Sequence, residues 1–120
     1  MTMRSKFALA VLPVLGLFAG AAHGHAELER ASPPVGGIVA HSPGEIRLWF
    51  TEKIEPRFSR ARIVAPSGAT IASGSVDRQN PNQLVIRGPR LSPGTYRVMW
   101  RVISIDTHQT EGAFTFTVGP

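Results

Sequence analysis

Cysteine is absent from the 120 residues, and with it every disulfide and every thiolate ligand. A domain built from this chain depends on packing alone, and soft centres that need sulfur anions, for Cu(I), zinc or iron–sulfur clusters, are excluded. Methionine is scarce too: of the three, only Met99 lies beyond the first few residues. No apolar run after residue 24 approaches the roughly 20 residues of a spanning helix, so the body of the chain is not expected to cross a membrane. No stretch there keeps a helical apolar period. No serine stands in a nucleophile context such as Gly-x-Ser-x-Gly, so no Ser/His/Asp set for hydrolysis is convincing. A strong excess of one charge is also missing. The formal net charge is +5, and the only basic cluster, Arg57, Arg60 and Arg62, has Phe58 as its sole aromatic neighbour, which reads as a solvated face and not as a nucleic-acid surface.

What is present begins with a three-part leader. "MTMRSK" is a short basic start, "FALAVLPVLGLFAGAA" an apolar run, and "AHG" a small-residue end. This is the layout of a secretory signal peptide, and Pro13 and Gly16 inside a short run argue against a membrane anchor. Residues 1–24 are therefore assigned to the signal and residues 25–120 to one small exported domain. Of 13 basic residues Arg4 and Lys6 belong to the leader, which leaves 11 against 8 acidic ones. A second cut is compatible with the small residues Gly20 and Ala22 and would leave His23-Gly24-His25 at the front.

The domain reads as short strands separated by turn signals. "EIRLWFT" alternates Ile46, Leu48 and Phe50 against Glu45, Arg47 and Trp49. "RARIVA", a stretch around Ile71 and "NQLVIRG" follow, punctuated by Pro66-Ser67-Gly68 and Gly88-Pro89. "GTYRVMWRVIS" places Tyr96, Val98, Trp100 and Val102 on one face, and "GAFTFTVG" does the same with Phe114, Phe116 and Val118. Evenly spaced strands with Gly/Pro punctuation predict an all-β protein, an antiparallel β-sandwich. Trp100 is expected to fill the core between the sheets. An opening strand around Leu28, followed by the loop "SPPVGG", is expected at a sheet edge, where the new N-terminus can meet a loop from elsewhere.

Four residues bear on chemistry. Cleavage after Gly24 makes His25 the first residue, and its α-amine and imidazole Nδ1 can then close a chelate ring on one ion; such an amine has a reference pKa of about 7.7–8.0 and is cheaply deprotonated. Asp106 and His108, two apart in "IDTHQ", point the same way if that segment is extended, with Thr107 on the other side. Two imidazoles, an amine and a carboxylate favour Cu(II) in tetragonal array. On the residues alone, a hydrogen-bonded corner stands equally open. Glu27 lies near enough in sequence to be an axial ligand or a solvated edge residue, and His41 reads as a surface loop residue.

The opening "HAELERASPP", the strand "IRLWFTEKIEPRFSRARI" and above all "GTYRVMWRVISIDTHQTEGAFTFTV" resemble the CopC family of periplasmic copper-resistance proteins over essentially the whole of residues 25–120. The resemblance implies an Ig-like, Greek-key β-sandwich and a Cu(II) site made by His25, Asp106 and His108. It also implies a copper carrier or buffer, with an inner-membrane transporter of the CopD type as partner. Two departures stand out. Some members carry a methionine-rich Cu(I) loop that this chain lacks, and many have proline after the Asp-Thr-His corner where Gln109 stands here. The competing functions are a copper monooxygenase, which also uses an N-terminal histidine brace, and a structural Ig-like module. The enzyme ranks lower because Asp106 would fill a position that oxygen chemistry needs open.

Overall fold

The computed structural model describes residues 25–88 and 90–120; the leader read at 1–24 lies outside them. Eight strands follow one another: β1 (Leu28–Ser32), β2 (Ile38–Val39), β3 (Glu45–Phe50), β4 (Arg60–Val64), β5 (Thr70–Asp77), β6 (Asn80–Arg87), β7 (Gly94–Ile103) and β8 (Gln109–Val118). The spatial order is β1-β3-β6-β5-β4-β7-β8-β2. Within it, β4, β5 and β6 are consecutive antiparallel neighbours and β7 returns to lie beside β4, which is a Greek key.

The fold is one curled sheet whose two halves face each other. The hinge is β5: its first half pairs with β4 up to Gly74, and its second half, from Ser75, pairs with β6. At Gly74 the backbone passes close against β6, since a Cβ built there would stand 2.0 Å from the Val85 carbonyl oxygen. Inside the curl the alternation read from sequence holds. Ile46, Leu48 and Phe50 of β3 meet Val98 and Val102 of β7 and Phe114, Phe116 and Val118 of β8 in one buried cluster. On the outer side of β3, Arg47 binds Glu45 (2.9 Å), Asp77 (2.7 Å) and Gln83 (2.8 Å), and its guanidinium holds the Asp77 carboxyl well below the usual carboxylate range.

One expectation is corrected, and one pairing was not foreseen. Trp100 is only half-buried: it meets Phe50 edge-on at 5.1 Å, but its register partner is Gly112, and the indole lies across the space a side chain would fill, so one edge stays open. One pairing is parallel in a sheet otherwise antiparallel. The two residues of β2 run alongside Thr117 and Val118, because the "SPPVGG" loop is tied back to β8 through the Gly36 amide on the Thr115 carbonyl (2.7 Å). The edge position of β1, paired only with β3, is as expected. Among the described residues no helix is long and apolar enough to cross a membrane.

Candidate metal centre

The β7–β8 hairpin ends in the corner Ser104–His108. It is a tight turn and not the extended segment expected: the Thr107 amide donates to the Ser104 carbonyl (2.8 Å), and the Ser104 amide donates to the His108 carbonyl (2.9 Å). Thr107 takes a φ of +75°, a left-handed conformation that a β-branched residue adopts only under constraint. Asp106 and His108 therefore converge because the chain reverses between them, not because they alternate along a strand. Gln109 opens β8 opposite Ile103 and accepts a hydrogen bond from Arg101 (3.1 Å), so the ladder anchors the corner where a proline ring is absent.

Ser104 organises the turn. It is buried, at the next inward position after Tyr96, Val98, Trp100 and Val102. Its hydroxyl donates to Asp106 Oδ1 in a short hydrogen bond and accepts from the His108 amide at 3.3 Å. His108 Nδ1 lies 3.3 Å from that same carboxylate oxygen. The Ser104 hydroxyl, then the His108 ring, hold Asp106 below the usual carboxylate range against an opposing effect of desolvation. Because the folded value lies below the unfolded one, the contact stabilises the corner above the ordinary aspartate pKa of about 3.9, and the contribution fades as pH falls through the lowered value.

The segment 25–27 is pinned against this corner by two threonines. Thr51 accepts from the Glu27 amide through Oγ1 (3.0 Å), donates its own amide to the Glu27 carbonyl (2.9 Å) and donates its hydroxyl to the His25 carbonyl (3.3 Å). Thr110 Oγ1 donates to the carbonyl of Ala26, which is fully buried, at 2.6 Å. These bonds fix the backbone on either side of the His25 side chain. Its ring comes to rest 4.6 Å, centroid to centroid, from the His108 ring, the planes tilted by 40°. A Thr110→Val substitution keeps the shape but strands the Ala26 carbonyl, so it should cost about 1–3 kcal/mol in urea unfolding and loosen the His25–His108 ring contact seen by NMR.

The three predicted residues thus gather at one end of the molecule, exposed to solvent. Among the described residues, however, no group of three or more His, Cys, Asp or Glu side chains stands ready to hold a metal ion. The two imidazoles and the carboxylate need a further donor or a small rotation to share one ion. Asp106 Oδ1 is the carboxylate oxygen that meets both the Ser104 hydroxyl and the His108 ring. Glu27 contributes its backbone to Thr51, while its side chain is exposed. His41 lies in a depression with Gly119 and Pro120, at the far end of β8 from the corner. Sequence reading missed Ser104, Thr51 and Thr110. For Ser104 the signal was there, a hydroxyl at an inward position of an apolar alternation; for the threonines there was none, since each acts across more than 20 residues of chain.

The CopC domain family matches residues 28–119 of the chain. Protein YobA of Escherichia coli (strain K12) is 37% identical over 121 residues, which cover 98% of this chain and 97% of that protein. Copper resistance protein C of Escherichia coli is 37% identical over 119 residues, covering 88% and 89%. The crystal structure of CopC from Methylosinus trichosporium OB3b superposes with a TM-score of 0.76 at 35% identity, over 80% of this chain and 95% of that one.

Proposed function

Since the chain belongs to the CopC domain family, we propose that it is a periplasmic Cu(II)-binding protein, a carrier or buffer in copper resistance or homeostasis, with His25, Asp106 and His108 as its ligands. The observation that carries this is the docking of residues 25–27 onto the hairpin corner, which brings two imidazoles within 4.6 Å beside a carboxylate held in its charged form. Divalent metal–imidazole bonds of about 2.0–2.1 Å put the centroids of two adjacent rings about 4–5 Å apart, so the observed spacing suits neighbouring positions on one ion. The missing donor is the α-amine of His25, created when the signal is removed. Amine, two imidazoles and Asp106 make a hard, nitrogen-rich set that favours Cu(II). With Met99 in a strand and no cysteine, soft donors for Cu(I) are lacking.

The protein on this reading holds the ion and passes it to, or withholds it from, an inner-membrane transporter of the CopD type. It binds rather than reacts, because Asp106 takes the position an oxygen-activating site would leave open. Titration of protein beginning at His25 should give a tetragonal Cu(II) spectrum with nitrogen couplings, and Asp106→Ala and His108→Ala should each weaken binding strongly, since each deletes a ligand. Unchanged affinity in both variants would remove the site. Acid should release the ion, as protons compete for the nitrogens.

A further inference from the structure

The outer face of β4, β7 and β8 carries a groove of about 780 Å³ that the metal reading leaves without a role. Two rows of residues cross it in register. Arg60, Arg101 and Glu111 form one, and Arg62, Met99 and Ala113 the other. Arg57 and Phe58, the latter 58% exposed, close one side.

The electrostatics of this face are unbalanced. Arg60 and Arg101 are directly opposed cross-strand partners, and like charges so placed are destabilising. Among the described residues none of Arg57, Arg60, Arg62 and Arg101 has a carboxylate within ion-pair distance, although Glu111 is the register partner of Arg101. Arg62 and Arg101 are instead steadied by neutral acceptors, Thr70 (3.0 Å) and Gln109 (3.1 Å). Arg47, on the other half of the sheet, shows how this chain treats an arginine that serves only its own fold, with two carboxylates on it. Four guanidiniums without carboxylate partners, around an apolar floor of Met99 and Ala113 with Phe58 at its side, present a surface that lacks its counter-charges.

We propose that this groove is the docking site for an acidic, extended segment of a partner protein, whose carboxylates meet Arg60 and Arg101 while an apolar side chain lies on Met99 against Phe58. Concavity favours a peptide over a bilayer, which is flat on this scale. A second copy is disfavoured by charge, because residues 25–120 are themselves basic, 11 against 8, and matching faces would bring eight arginines together. The groove opens three residue positions along the hairpin from His108, about 10 Å at strand rise. A partner seated there is poised to receive or deliver the ion; that use rests on the carrier reading, while the docking does not.

The probe is a capped octapeptide of alternating Glu and Leu, titrated into protein beginning at His25, with the Met99 methyl resonance and Trp100 fluorescence as readouts and with Cu(II) affinity measured on the same samples. Arg60→Glu is the decisive variant: it turns a like-charge pair into an opposite one, so the fold is not threatened, and it should weaken peptide binding about tenfold or more while Cu(II) affinity holds. A Glu-Ser peptide should bind more weakly, for want of the apolar contact. Peptide binding that leaves Met99 unmoved, equal binding by Arg60→Glu, or binding only to phosphatidylglycerol vesicles would overturn the proposal. Failure of copper binding alone would overturn the carrier reading and leave the docking result standing.

Discussion

Protein that begins at His25 is expected to bind Cu(II) on the order of 10²-fold more tightly than the same protein carrying one glycine in front of it. The added residue converts the α-amine into a peptide nitrogen, and the five-atom connection from amine to imidazole Nδ1 no longer closes a chelate; losing one arm of a two-point attachment forfeits the effective concentration it supplied. The fold should not change. Residues 25–27 are held by Thr51 and Thr110 through backbone atoms that the extension does not touch. Circular dichroism and thermal unfolding of the two forms should therefore coincide while competition against a Cu(II) chelator separates them. Equal affinity would mean that the amine is not a ligand. The competing cut after Ala22 makes a different forecast, because a histidine in third place binds Cu(II) with the amine and the intervening amides. In that form Asp106→Ala and His108→Ala would have little effect.

How much of this was legible in the sequence follows from the range of the forces involved. The alternation in β3, β7 and β8 was readable because inward and outward positions of a strand differ in burial at every second residue, and Ile46, Leu48, Phe50, Val98, Phe114 and Phe116 are where that rule puts them. His25, Asp106 and His108 could be offered as candidate ligands because metal-ligating chemistry restricts residue type and the CopC resemblance points to the same three. Their convergence could not be derived from an extended segment, since Thr107 at positive φ reverses the chain there and nothing in "DTH" encodes a left-handed threonine. The two residues of β2 are too few to show a period. Trp100 was read as a core residue from its own neighbours, but its exposure is set by Gly112 on the adjacent strand. The cluster of Arg57, Arg60 and Arg62 was read as a solvated face; only the register of β4 against β7 brings Arg101 to it.

Gly74→Ala should be the most damaging small substitution in the fold, more so than the loss of any single core methylene. Beyond Gly74, β5 leaves β4 to join β6, and the added Cβ would lie 2.0 Å from the Val85 carbonyl oxygen and 2.6 Å from its carbonyl carbon. Both are backbone atoms of β6, held in place by the pairing of Val85 with Arg47 and Ser75, so no side chain can swing aside. Relief requires the two halves of the curl to part, which exposes the cluster around Leu84 and Ile86 that they bury together. Overpacking of this kind costs about 3 kcal/mol or more, against the roughly 5–15 kcal/mol that stabilises a domain of this size. The expected fall in melting temperature is about 12–24 °C. Gly44→Ala is the control: its Cβ meets nothing within 4 Å, so its unfolding curve should move little. A Gly74→Ala protein that melts within a few degrees of the parent would show that β5 and β6 can separate freely, and the closed curl described here would not be what holds the hairpin corner in position.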